Sequence, residues 1–446
     1  MSGGIVQLVA TGVQDEWLTG KPEVSFFRAN YKRYTHYASS VERQLIQGTP
    51  QAGSISTIRL EKKGDLVSYM YLTARDGNGA YIANLDWSQV ISRVQLYIGG
   101  QEIDSQDFQW LSDVEPVVGA QNLNQRYLNN QGGTTQQPTN YAASNQVASF
   151  FPLKFFFNKE WMLALPVVGL AFHDVEIRIT WAPNSGTETT NSTAANGLNA
   201  LVSTSGAQVN GASQTLSATP RVNGTGGTNT TTTYQQLQYV LWTNFIYLDA
   251  AEREFFAKTP MDMLIYQVQR VPLGITPVQE LALAHPIKYL AFQSNNYNTI
   301  YSAGGAYGGA GSATAYNAVL RTQINGVDVG DDKPLFHYTD VVQYYHTQFG
   351  YQTVPSAANY TANVAVIPYC LDTTRLQPTG TLNFSRLDTY RLITPPQLNL
   401  GGLTGMQALA QPFSQLRGHP GIGYIYAVNY NILRIREGMG GLLYAN

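Results

Sequence analysis

Short runs rich in Val, Ile, Tyr, Phe and Thr, bounded by Gly, Pro and Asn, recur along the 446 residues, whereas sustained 3.6-residue periodicity is scarce. The pattern predicts an all-β protein. Its clearest strands are Leu66 to Thr73, Val94 to Ile98, Val175 to Trp181, Val240 to Leu248 and Tyr424 to Ile435. One helix is predicted, Ala250 to Lys258, with Asp249 placed to accept from first-turn amides and Pro260 as the stop. Residues 184–233 are mostly Ser, Thr, Gly, Asn and Ala, and 295–315 are largely Gly, Ala, Asn and Tyr. Such stretches bury too little apolar surface to form cores, so they are expected as surface loops on a rigid scaffold.

Four faint correspondences occur in the same order in both halves. Asp65 to Leu72 aligns with His285 to Phe292, and Tyr97-Ile98-Gly99-Gly100 with Gln323-Ile324-Asn325-Gly326. Pro166-x-x-x-Leu170-x-Phe172 aligns with Pro378-x-x-x-Leu382-x-Phe384, and Asn244-Phe245-x-x-Leu248 with Asn429-Tyr430-x-x-Leu433. Their collinearity predicts two similar β-sandwiches in tandem, the long Ser/Thr/Gly segment being an insertion in the first. The organisation expected is an arm over 1–24, a first sandwich over 25–248 carrying the 184–233 loop, a helical linker over 249–260 and a second sandwich over 261–446.

Composition narrows the function. Charged residues are 13% against about 25% in an average chain, and the net charge is -2. Direct nucleic-acid binding is therefore not expected, because phosphate neutralisation needs a concentrated basic face. The aromatic and basic residues interleaved from Phe26 to Tyr34 are read as a packing or subunit contact. Cys370 is the only cysteine, which excludes an intrachain disulfide, a CxxC pair and a cysteine zinc cluster. Met1 to Trp17 lacks a basic n-region, so no signal peptide is predicted, and the most apolar run, Trp161 to Phe172, contains Pro166 and is too short to span a bilayer.

Catalytic signals are sparse. His36, His173, His285, His337, His346 and His419 show no HExxH spacing; His337 and His346 could share a site, but ordinary hydrogen-bonded roles are expected of all six. No GxSxG elbow offers a nucleophile. Glu102, Asp104, Glu176 and Asp331-Asp332 are the acids nearest strands, without a specific pairing. Gly20-Lys21 and Gly438-Met439-Gly440-Gly441 lack the context of a phosphate cradle and read as turns. No catalytic residue, metal site or cofactor is predicted. Sequons at Asn191, Asn223, Asn229 and Asn359 are candidate glycosylation sites, whereas Asn383 falls in a predicted strand and is discounted.

The two ends carry the sharpest motifs. They are Gln7-Leu8-Val9-Ala10, Gln14-Asp15, Leu18-Thr19-Gly20-x-Pro22, Phe26-Phe27, Tyr31-x-Arg33 and Gly438-Met439-Gly440-Gly441-x-x-Tyr444-Ala445-Asn446. Between them lie Gly64-Asp65-Leu66, Ile98-Gly99-Gly100-Gln101-x-Ile103-Asp104, Leu163-Ala164-Leu165-Pro166, His173-Asp174-Val175 and Asn383-Phe384-Ser385-Arg386-Leu387-Asp388. Together these resemble the major capsid proteins of nucleocytoplasmic large DNA viruses, of the phycodnavirus type, across nearly the whole chain. His36-Tyr37 departs mildly from the family's more frequent Asn-Phe.

The resemblance implies a double jelly roll, two tandem eight-stranded antiparallel β-sandwiches joined by a short helical linker. It further implies a non-enzymatic subunit that homotrimerises into pseudo-hexagonal capsomers tiling an icosahedral shell. The implied partners are neighbouring capsomers, minor capsid and penton proteins, and an internal viral membrane near the N-terminal arm, with assembly in the host cytoplasm. The alternative kept open is a carbohydrate-binding or glycan-processing β-sandwich, since jelly rolls host both.

Overall fold

The computed structural model describes residues 13–29, 31–50, 53–75, 90–119, 150–181, 238–294, 319–347, 363–395, 399–400, 403–404 and 423–444. Two compact units are distinguished, Met1–His36 and Tyr37–Asn446. In the first, a single helical turn spans Glu16–Thr19, and none of its residues is buried. Among the described residues, all the strands lie in the second. No helix among the described residues is long and apolar enough to cross a membrane.

The first half contains β1 (Tyr37–Gln44), β2 (Ile55–Arg59), β3 (Leu66–Arg75), β4 (Ile91–Ile98), β5 (Gln101–Asp107), β6 (Phe150–Pro152), β7 (Leu165–Pro166), β8 (Val175–Trp181) and β9 (Gln238–Leu248). They form two antiparallel sheets ordered β1-β9-β3-β6 and β2-β8-β4-β5, with β7 added to β3. After the 250–258 helix come β10 (Met261–Pro272), β11 (Val278–Glu280), β12 (Pro286–Ser294), β13 (Val319–Ile324), β14 (Val327–Asp328), β15 (Lys333–Pro334) and β16 (Asn363–Pro368). The chain ends through β17 (Leu382–Asn383), β18 (Tyr390–Ile393), β19 (Asn399–Leu400), β20 (Leu403–Thr404), β21 (Tyr424–Arg436) and β22 (Met439–Leu442). Their principal orders are β10-β21-β12-β16 and β11-β18-β13-β14. These are the first-half orders strand for strand, so the fold is a double jelly roll whose two eight-stranded frames repeat one topology.

Local chemistry repeats as well. A two-residue turn joins β4 to β5 through Gly99 and Gly100, at φ 58° and 82°, and β13 to β14 through Asn325 and Gly326, at φ 47° and 80°. Both central residues sit in the left-handed region, which glycine and asparagine adopt most readily. Gly99 N donates to Asp174 O and Asn325 N to Thr389 O, each at 2.9 Å. The two turns are not interchangeable. Asn325 Oδ1 accepts from Asp388 N and Thr389 N at 2.9 and 3.1 Å, whereas a side chain at Gly99 would run into the His173 ring. Gly99→Asn is expected to lower stability by about 1–3 kcal/mol through that overlap, read as a lower thermal midpoint. Asn325→Gly should cost about 1–2 kcal/mol for two lost hydrogen bonds.

Strand pairing corrects two of the four sequence correspondences. Leu66 pairs with Pro166 and Pro286 with Asn383, so Pro166 matches Asn383 and not Pro378. Val67 pairs with Phe245 and Ile287 with Asn429, placing the last match one residue out. The helix over 250–258 forms as expected, with Asp249 Oδ1 accepting from Ala250 N at 2.9 Å.

β21 is buried at every position from Ile425 to Asn431 because its sheet is covered on both faces. Ile425 and Ala427 lie in the interior of the second sandwich, while Tyr426, Val428 and Leu433 join an apolar cluster shared with the first. An antiparallel sheet with one wet face would alternate instead. The neighbouring roll takes the place of solvent.

Candidate functional site at the seam between the two rolls

The shared cluster places Ile103, Trp110, Val118 and Phe156 of the first roll against Ile265, Tyr289, Tyr426 and Val428 of the second. The Trp110 and Tyr426 rings lie 5.4 Å apart. Polar groups register the two rolls along this surface. Ile103 O accepts from Gln267 Nε2, Asp104 Oδ1 accepts from Val268 N at 3.1 Å, and Asp107 Oδ2 accepts from Arg270 Nη1 at 3.0 Å. Tyr426 OH donates to the Asp107 carboxylate at 2.9 Å, and Asp107 Oδ1 also takes Trp110 N at 2.9 Å. β10 is the edge of its sheet, so Asp104 satisfies a donor that would otherwise face outward.

The chain's last hairpin closes the same seam. Gly438 and Gly440 pack so tightly on Phe172 and Leu170 that a side chain at either would overlap them. Phe172 N donates to Gly438 O at 2.9 Å, His173 Nδ1 lies 2.9 Å from Gly440 O, and Leu442 N donates to Gln101 Oε1 at 3.1 Å. The terminal glycine motif is therefore an inter-roll clasp as well as a turn.

Beneath the seam, the helical segment Trp110–Val118 opens with a widened π-helical turn, and its Glu115 is fully buried. Glu115 accepts from Lys154, itself 3% exposed, and Lys159 Nζ approaches Glu115 Oε1 at 2.5 Å. Burial pushes the Glu115 carboxyl up, but the two ammonium groups outweigh it and hold the group down at about 2.

Asp104 is tuned the other way. Burial pushes its carboxyl up to about 6, against backbone donation from Val268 and side-chain donation from Gln106. A folded pKa above the ordinary 3.8 means that the fold holds the proton more tightly than the unfolded chain. Stability from this group is greatest below about pH 4 and falls as pH rises through about 6. Asp104→Asn is expected to remove that slope and to raise stability at pH 7 by at most about 3 kcal/mol, measured by urea unfolding across pH.

The residues singled out from sequence are dispersed. Glu102 accepts from Tyr97 OH at 2.8 Å, Glu176 pairs with Arg178 at 3.2 Å, and Asp332 pairs with Arg321 at 2.5 Å. His173 belongs to the clasp, His285 is buried at φ 69°, and His36 is exposed. His337 and His346 do come together, lining one cavity of about 370 Å3 in the second roll. Burial, then Lys333 and His346, push the His337 imidazole down. Among the described residues no group of three or more His, Cys, Asp or Glu side chains is placed to hold a metal. Asn383 sits at the end of β17, its side chain accepting from Ser385 N at 3.1 Å. The sequons at Asn191, Asn223, Asn229 and Asn359, the 184–233 and 295–315 loops, and His419 lie outside the described residues.

Sequence reasoning passed over Glu115, Lys154, Asp107, Arg270 and Tyr426. Lys154 carried the one usable signal. It interrupts the run Phe150-Phe151-Pro152-Leu153-Lys154-Phe155-Phe156-Phe157, and an ammonium there demands a buried counter-ion.

Residues 25–249 match the family model described as major capsid protein N-terminus, and 252–441 match that of the large eukaryotic DNA virus major capsid protein. The major capsid protein of Paramecium bursaria Chlorella virus 1 is 30% identical and that of Pyramimonas orientalis virus 27%, each alignment covering all of both chains. Among solved structures, the chain in the quasi-atomic model of the PBCV-1 virus capsid superimposes with a TM-score of 0.63 at 25% identity, covering 95% of this chain and 100% of the other. The Faustovirus major capsid protein shares the fold, with a TM-score of 0.52 at 12% identity over 96% of this chain and 94% of the other.

Proposed function

Because the chain belongs to the large eukaryotic DNA virus major capsid proteins, we propose that it builds its virion shell as a homotrimer, each trimer a pseudo-hexagonal capsomer. The observation that carries this reading is the seam. Two rolls of one topology are fixed side by side by a common core, so one chain is a rigid pair of near-equivalent lobes. Three such chains supply six lobes, and a threefold object with six similar lobes can pack hexagonally on a flat facet. The role is structural rather than catalytic.

In this reading the partners are neighbouring capsomers on the facets and penton and minor capsid proteins at the vertices and inner face, with assembly in the host cytoplasm. The N-terminal arm is the inner attachment, near an internal membrane, and Trp17 and Leu18 on it are 89% and 86% exposed. Glycans, where present, are assigned to Asn191, Asn223, Asn229 and Asn359. Deleting residues 1–24 should leave the thermal midpoint of the rolls unchanged while reducing incorporation into shells, scored by sedimentation of assembled particles. A lowered midpoint would make the arm part of the folded body instead.

Light scattering of the purified protein during size-exclusion chromatography tests the trimer. The expected mass is three times 49.0 kDa, 147 kDa. A single species at 49.0 kDa across the accessible concentration range would contradict it.

A further inference from the structure

The cavity that brings His337 and His346 together is built into the second roll. It is bounded by β13, β15, β16, β18 and the helical turns over 337–346, and its deepest wall is core: Tyr338, Val342, Ile367 and Tyr390 are all buried. Its volume, about 370 Å3, falls at the small end of the range that holds organic ligands, roughly 300–1,000 Å3. A site of that size inside a sandwich suits a short apolar body better than a sugar or a nucleotide, whose many polar groups would need partners that this wall does not supply.

Charge decides what the body must carry. Lys333, His337 and His346 are the basic groups of the lining, and among the described residues no Asp or Glu shares it with them. The neighbouring Asp328 and Asp332 are taken up by Arg321, at 3.3 and 2.5 Å. The His346 ring is held by Cys370 O, 3.0 Å from its Nδ1. The Lys333 ammonium and the His337 ring have neither a hydrogen bond nor a carboxylate partner among the described residues. They repel instead: Lys333 and His346 add to burial in pushing the His337 imidazole down. Basic groups that converge on an apolar wall are satisfied by one class of ligand, an anion joined to an apolar body.

We propose that the second roll binds a small amphiphilic carboxylate, a medium-chain fatty acid, with its alkyl chain against Ile324, Val342 and Ile367 and its head between Lys333 and His337. An ammonium head in the same place would add to the repulsion, and an uncharged head would leave it in force. All the groups concerned come from one chain, so the inference stands independently of the trimer reading.

Isothermal titration of the purified protein with decanoate tests the site. One decanoate per chain is expected to bind saturably and to raise the thermal midpoint by roughly 2 °C at about ten times its dissociation constant. Decylammonium, equally apolar and oppositely charged, should do neither. Lys333→Met should weaken decanoate about five- to tenfold through loss of a charge-assisted contact, with the midpoint of the ligand-free protein unchanged. Val329→Trp, whose larger side chain fills part of the cavity, should abolish binding. Equal binding of decanoate and decylammonium would reduce the effect to apolar adsorption and overturn the proposal. So would the absence of saturable decanoate binding, or an affinity that neither variant changes.

Discussion

Replacing Glu115 with Gln is expected to cost about 3–5 kcal/mol, because it breaks a buried ion pair from one side. The carboxylate is fully buried and faces two ammonium groups, of which Lys154 has 2% side-chain exposure and Lys159 has 21%. Lys159 can turn toward water, but Lys154 cannot. Gln takes away the carboxylate that neutralises this buried ammonium, and removing one member of a buried pair costs far more than the pair's net contribution when intact. The second-site variant Lys154→Met in the Glu115→Gln background should therefore recover most of the loss in urea unfolding, because a buried ion pair exchanged for groups of similar volume is close to neutral. The same pair sets an acid limit. The folded Glu115 carboxyl sits at about 2, below its ordinary 4.5, so its stabilisation is complete above about pH 4.5 and is lost as pH falls toward 2.

Asp107→Ala is expected to be the next most damaging change, and to differ in kind. Its carboxylate holds Trp110 N on its own roll and Arg270 and Tyr426 on the other. Hydrogen bonds to a charged acceptor contribute about 1.5–3 kcal/mol each but do not add when they share one acceptor, the partly exposed Arg270 can return to water, and two of the three bonds lost cross the contact between rolls. Calorimetry should show a total loss of about 3 kcal/mol and one cooperative transition broadening or dividing into two, as coupling between the rolls weakens. A lowered but still single, sharp transition would place the main coupling in the apolar cluster alone.

The strand frame was legible in the sequence because its signals are local. Val175–Trp181 forms with the predicted bounds, and the Gly99-Gly100 and Asn325-Gly326 turns stand where their left-handed conformations require them. Duplication was legible for the same reason, since equivalent turns and strands preserve short patterns. Its detailed alignment was less so. The shared Pro and Phe spacing at 166–172 and 378–384 is a chance likeness of apolar segments, whereas the true equivalence is set by which residue β3 and β12 pair with. The seam was not legible at all. Asp107 and Tyr426 are 319 positions apart, and neither residue type by itself announces a partner. Aspartate after a strand normally signals a turn or cap, and tyrosine in a β-run normally signals a core. Only Lys154, an ammonium set among aromatic residues, advertised a buried pair.

The proposed capsomer is three chains presenting six near-equivalent rolls. Single-particle cryo-electron microscopy of the purified protein tests it most directly. The predicted result is a threefold ring with six lobes and a nearly hexagonal outline. Two-lobed particles of one chain each, or a ring with any other number of rolls, would contradict it.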